Sequence, residues 1–193
     1  MQIFDNLFTI KEQEKIKDVL YGINFPWYYV KDVTFIKNKS QTRPALTHNY
    51  MIDGGIINSD FYNDVKIIYE KVNKKIKQKL KPFKVRSFLQ FPLNETFLKN
   101  SSKSNHMEDT PHLDLKIEHL VYLYYVNDCD GDTITYGYNT KRRNNETSYY
   151  EDMKIEKRIT PKQGRVVVFD GMTWHSSTQP TKGPRTIINF DMV

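Results

Sequence analysis

The chain has 193 residues, 38% of them hydrophobic and 27% charged, with a formal net charge of +6. This is the size of one domain, large enough to bury a core without covalent staples. A single cysteine, Cys129, excludes an internal disulfide and a cysteine-held zinc. No apolar run reaches the roughly 18 residues of a membrane span, and the N-terminus turns charged too soon for a secretion signal. These features predict a cytoplasmic protein.

In chain order, Thr9 followed by Glu12 forms a capping-box pattern and predicts a helix over 10–21. FPWYYV predicts a strand. Residues 32–57 are mixed, with a turn at Gly54-Gly55. A second helix is expected from about Ser59, because Phe61, Val65, Ile68, Val72, Ile76 and Leu80 recur every three or four residues. Pro82 is read as its stop. The lysines of EKVNKKIKQKLKPFK then lie on its wet side.

From residue 83 the period changes to two. In FKVRSFLQF, apolar positions alternate with Arg86 and Gln90. Residues 93–110, LNETFLKNSSKSNHMEDT, predict an exposed, mobile loop, and NTKRRNNETSYYED predicts a solvent loop or hairpin tip. Strands are expected at 111–115, 117–126, 132–138, 153–159, 165–170, 174–179 and 184–192. Short strands at this spacing suggest a barrel or jelly roll. The expected fold is mainly β with N-terminal helices (α+β), a single domain over 1–193 with a helical support at 1–82 and a β core at 83–193.

The chemistry-bearing stretch is TPHLDLK. On an extended segment, His112 and Asp114 point the same way, and His175 is the best third ligand. Two histidines and a carboxylate form the facial triad of non-haem Fe(II) oxygenases, which leaves three adjacent coordination positions open. With five histidines in the chain, a His-x-Asp pair alone is a weak signal. Context strengthens it. Glycine turns at Gly164 and Gly171 bracket an apolar strand and place His175 at the start of the next. The last strand alternates Arg185, Ile187 and Asn189, with nothing acidic read on that face. A buried Arg185 needs an anion, and its planar fork suits a dicarboxylate; the alternative is that Arg185 faces solvent.

HLD, YLYYVND, CDGDT, PKQGRVVVFDGMTWH and GPRTIINF occur in an order and spacing that resemble the Fe(II)/2-oxoglutarate-dependent dioxygenases of the prolyl 4-hydroxylase type, especially small viral and bacterial members. The resemblance covers roughly residues 84–192. It implies a double-stranded β-helix (jelly roll) core, with His112, Asp114 and His175 binding Fe(II). Arg185 would pair with the C5 carboxylate of 2-oxoglutarate, Tyr125 would donate to the same carboxylate, and Asn189 would help hold the co-substrate. O2 is the second co-substrate and ascorbate an accessory reductant. The implied substrate is a prolyl or other residue of a peptide or protein, with succinate and CO2 as co-products. Gly131 and Thr133 are read as structural, His106 and His119 as non-ligands, and His48 is unassigned. Two other readings stay open: oxidative dealkylation of nucleic acid, supported only by charge, and a non-enzymatic β-barrel that binds a ligand or serves a structural role.

Overall fold

The computed structural model of the protein describes residues 1–33, 43–93, 108–139 and 153–193. The solvent loop expected at 139–152, apart from Asn139, and most of the loop expected at 93–110 lie outside them. Among the described residues, no helix is long and apolar enough to cross a membrane.

Helix α1, Ile10–Tyr21, begins with the full capping box: Glu12 N–H donates to Thr9 Oγ1, and Thr9 N–H to the Glu12 carboxylate. Its buried residues, Gln13, Ile16 and Leu20, fall on one stripe. The second expected helix is two pieces, α2 (Tyr62–Val65) and α3 (Ile67–Ile76). Pro82 is not its stop. Lys77 takes a left-handed conformation (φ 56°) that ends α3. Asn73 then donates to the Leu80 carbonyl, and Pro82 opens a strand. The apolar period ran past the helix because Leu80 still packs on the same core.

All strand pairs among the described residues are antiparallel. The larger sheet runs β1 (Gln2–Phe4), β9 (Val166–Asp170), β6 (Leu120–Tyr125), β11 (Arg185–Met192), β5 (Pro82–Gln90), β3 (Ala45–Ile52) and β2 (Tyr28–Val30). The short β4 (Ile56–Ile57) joins β3 across the Gly54-Gly55 turn, where both glycines have positive φ. The smaller sheet runs β10 (Thr173–Ser177), β7 (Thr133–Asn139) and β8 (Ile155–Ile159). The N-terminal third is therefore not only a helical support, since β1 and β3 extend the main sheet.

Alternation divides the core in two. Tyr122, Tyr124, Val166, Val168, Ile188 and Phe190 face the helices. Val121, Leu123, Tyr125, Val167, Phe169 and Ile187 face the other way and meet Ile159 of the smaller sheet. This second face also carries the polar residues discussed below. The strand expected at 111–115 is absent. His112 instead makes an isolated bridge to His175, with reciprocal backbone hydrogen bonds of 2.9 and 3.1 Å. Nor is the end of the 93–110 segment exposed: Glu108 bridges Thr178, and Asp109 is buried in an ion pair with Arg43 (2.5 Å).

Candidate metal centre

A cavity of about 230 Å³ lies between the two sheets. The larger sheet lines it with Arg86, Phe88, Gln90, Leu123, Arg185 and Asn189. Thr133, His175 and Ser177 of the smaller sheet line it as well, together with His112 and Asp114.

The bridge between His112 and His175 brings the two imidazoles side by side, with ring centroids 4.6 Å apart. Asp114, two residues on, turns back between them. His175 Nε2 lies 3.3 Å from Asp114 Oδ2, and His112 Nε2 lies 3.8 Å from Oδ1. One ligand atom from each residue lies within 4.8 Å of the others. Neighbouring ligands on an octahedral metal with bonds of about 2.1 Å stand about 3 Å apart, so small side-chain movements close this set on one ion. Two imidazole nitrogens and a carboxylate oxygen suit a divalent first-row metal.

The electrostatics leave His112 neutral and Asp114 ionised, the forms that ligate. Desolvation, then the neighbouring His175, lowers His112 to about 4, so its ring is neutral near pH 7 although half the side chain is accessible at the cavity mouth. Burial works against the Asp114 anion, but Arg86 and His175 outweigh it and hold its carboxyl well below the usual range. Burial likewise disfavours a charged His175, and Asp114 reverses that and raises it.

Asp114 has two further partners. Arg86 Nη2 forms an ion pair with Oδ1, and Asn189 Nδ2 donates to Oδ2 at 3.0 Å. Asn189 thus sits at the His112–Asp114–His175 end of the cavity, against the Asp114 carboxylate.

Arg185 occupies the opposite end and is 3% exposed. Its Nε donates to Gly131 O (2.9 Å), Nη1 to Gln90 Oε1 (3.0 Å) and Nη2 to Thr133 Oγ1 (2.8 Å). These acceptors are all neutral. Among the described residues no carboxylate lies within ion-pair distance of Arg185. Tyr125, fully buried, donates to the same Thr133 hydroxyl at 2.7 Å, and burial pushes its phenol up to about 12. Gly131 and Thr133, read from sequence as structural, are contacts of Arg185, and a Cβ on Gly131 would come 2.8 Å from Arg185 Cδ.

The structure therefore brings His112, Asp114 and His175 together at one end, with Arg185 and Tyr125 at the other. Sequence reasoning missed Arg86, Gln90 and Asp109. Asp109 accepts from Gln90 (3.3 Å) and Ser177 (2.6 Å), which ties Gln90 in place. A signal for the first two was present: Val85, Ser87 and Leu89 alternate toward one side of β5, so Arg86 and Gln90 must face the other.

No family model matches this sequence, and no curated protein matches it. Solved structures do. A 2OG-Fe(II) oxygenase family oxidoreductase from Burkholderia pseudomallei aligns over 98% of this chain and 83% of its own, with a TM-score of 0.64 at 10% identity. The chain shares this fold. A prolyl hydroxylase from Trichoplax adhaerens, in complex with a hypoxia inducible factor peptide fragment, aligns over 99% and 82% with a TM-score of 0.60 at 13% identity. The epimerase SnoN, in complex with Fe3+, alpha ketoglutarate and nogalamycin RO, aligns over 99% and 77% with a TM-score of 0.64 at 12% identity.

Proposed function

We propose that this protein is an Fe(II)- and 2-oxoglutarate-dependent dioxygenase that hydroxylates a residue of a peptide or protein, with prolyl residues the first to test. The observation that carries this reading is the pairing, in one cavity, of a three-ligand cluster with a buried guanidinium that has no acidic partner among the described residues. His112, Asp114 and His175 would hold Fe(II), leaving the cavity side open. Arg185 would take the C5 carboxylate of 2-oxoglutarate, with the Thr133 hydroxyl beside it and Tyr125 behind. The sheet pair on which these residues sit is read as a double-stranded β-helix.

When bound, Fe(II), 2-oxoglutarate and O2 together supply the oxidant that inserts oxygen into a substrate C–H bond, leaving succinate and CO2. The chain's own residues do the rest. Gln90, held by Asp109, fixes the Arg185 fork, so the co-substrate meets a preorganised donor. Val121, Leu123, Phe169 and Ile187 line a dry wall between the two ends. There a carboxylate–guanidinium pair is stronger than it would be in water. His112, at the mouth, marks the side from which a substrate reaches the metal.

Support for a peptide substrate comes from this open mouth, from the sequence resemblance and from the peptide-bound Trichoplax neighbour. The test has two steps. Fe(II) and 2-oxoglutarate added without O2 should give a weak visible charge-transfer band that a plain barrel would not show. Mass spectrometry of candidate peptides after turnover should then show one added oxygen. Turnover of 2-oxoglutarate stimulated by nucleic acid but by no peptide would move the substrate to the other class.

A further inference from the structure

The cavity-facing side of β11 does not stop at Asn189. The strand runs to Met192, so Arg185, Ile187, Asn189 and Asp191 share one face. The sequence reading of that face as free of acidic groups is therefore corrected. The face reads guanidinium, methylated chain, amide and carboxylate from the co-substrate end to beyond the metal ligands.

Asp191 is completely buried. Asn189 Nδ2 reaches both carboxylates, Asp114 Oδ2 at 3.0 Å and Asp191 Oδ1 at 3.3 Å. One amide thus ties a metal-ligand candidate to a second acid behind it. Asp191 Oδ2 has no hydrogen-bond partner. Lys84 lies opposite Asp191 in register, but its ammonium pairs with Asp53 at 2.9 Å. The remaining neighbour is His119, whose Nε2 is 3.8 Å from Asp191 Oδ1, too far for a hydrogen bond, and is itself buried and partnerless. His119 Nδ1 lies 2.7 Å from the Ile117 carbonyl, which can only accept, so Nδ1 carries the ring's proton in the neutral form. The ring is locked there: a Cβ on Gly171 would fall 2.1 Å from Nε2.

Burial and the nearby Asp114 push Asp191 up to about 7, with Arg86 offsetting them only in part, so its anion is costly as the site stands. Asp114 already shares Arg86. A divalent ion held by His112, Asp114 and His175 would add the missing positive charge beside both acids.

We propose that Asp191, tied to Asp114 through Asn189, is a positioning residue that strengthens divalent-metal binding at the His112–Asp114–His175 cluster. The inference rests on the metal-centre reading above. Asn189 keeps Oδ2 of Asp114 turned toward His175, and Asp191 both holds that amide and adds negative potential behind the ion.

The test uses the full chain and Mn(II) alone, titrated calorimetrically, together with thermal unfolding in chelator. Asp191→Asn should weaken Mn(II) binding about tenfold, the usual scale for groups that support metal ligands. The metal-free unfolding midpoint should stay level or rise, because an unpaired buried charge has gone. Asn189→Leu, which cuts the tie, should also weaken Mn(II) about tenfold, and it carries the test if Asp191→Asn does not fold. Folded variants that bind Mn(II) within about twofold of the parent would overturn the proposal. So would an affinity loss in Asp191→Asn matched by a lower metal-free midpoint, the mark of a purely structural role. A parent protein that binds no Mn(II) refutes the metal centre itself, and this inference with it.

Discussion

Arg185 and Asp114 carry opposite unit charges on similarly buried side chains, yet the structure satisfies them differently. Arg185 has three neutral acceptors and, among the described residues, no acid, so removing it should cost little beyond its own contacts while taking away the proposed anchor of a dicarboxylate. Arg185→Ala should weaken 2-oxoglutarate binding to the metal-loaded protein by roughly tens of fold, on the scale of lost charged hydrogen bonds. Binding of oxalate, which lacks the distal carboxylate, should be unchanged. Competitive titration of both ligands checks this, and equal losses for the two would remove Arg185 from its assigned place. Asp114 is the opposite case, since Arg86 depends on it. Asp114→Ala should abolish metal binding and also destabilise the metal-free fold by about 3 kcal/mol, because a largely buried guanidinium is left without its partner. Chemical denaturation in chelator separates the second effect from the first.

At the scale of elements, α1 stands on local chemistry and the site on contacts between strands. The Thr9–Glu12 box satisfies amide hydrogens at the exposed start of α1. Thr9→Ala should therefore lower stability by about 1 kcal/mol without moving ligand affinity. Gly171 follows β9 and backs onto His119. Gly171→Ala should force that ring to shift and cost about 1–3 kcal/mol, the range for overpacking a filled interior. Denaturation midpoints measured side by side should rank Gly171→Ala as the more damaging. The segment carrying His112 and Asp114 shows the limit of element-level expectation. A strand is expected over 111–115, yet among the described residues a single bridge to His175 is all the pairing that 111–115 makes. That bridge alone suffices to set the two histidines side by side.

For the whole molecule, the two sheets form opposite walls of one cavity, so a ligand that spans it stabilises both together. Metal plus 2-oxoglutarate at about 100 times the dissociation constant should add about 2.7 kcal/mol. For a chain of this size that corresponds to roughly 5–10 °C in the unfolding midpoint. Scanning calorimetry with metal, with 2-oxoglutarate and with both should show the largest rise for both, and no rise beyond metal alone would argue against a shared cavity. The net charge of +6 acts at this scale too. If it only keeps the surface soluble, substrate turnover should change little with salt, whereas a nucleic-acid substrate should bind markedly less well as salt rises.

Local chemistry in the chain was enough to determine α1 and its cap and the alternation of the late strands, and to single out His112, Asp114 and His175, which the fold clusters. Helix caps, turns and period-two faces are set by residues close in sequence, so they can be read there. The tertiary structure alone decided that Arg86 pairs with Asp114, that Gln90 steadies Arg185, and that Asp191 and His119 stand behind the His112–Asp114–His175 cluster. These partners come from segments far apart in the chain, and the antiparallel register of β5, β11 and β6 is what brings the inward-facing strand residues together. A buried charge declares its partner only once the strand across from it is known.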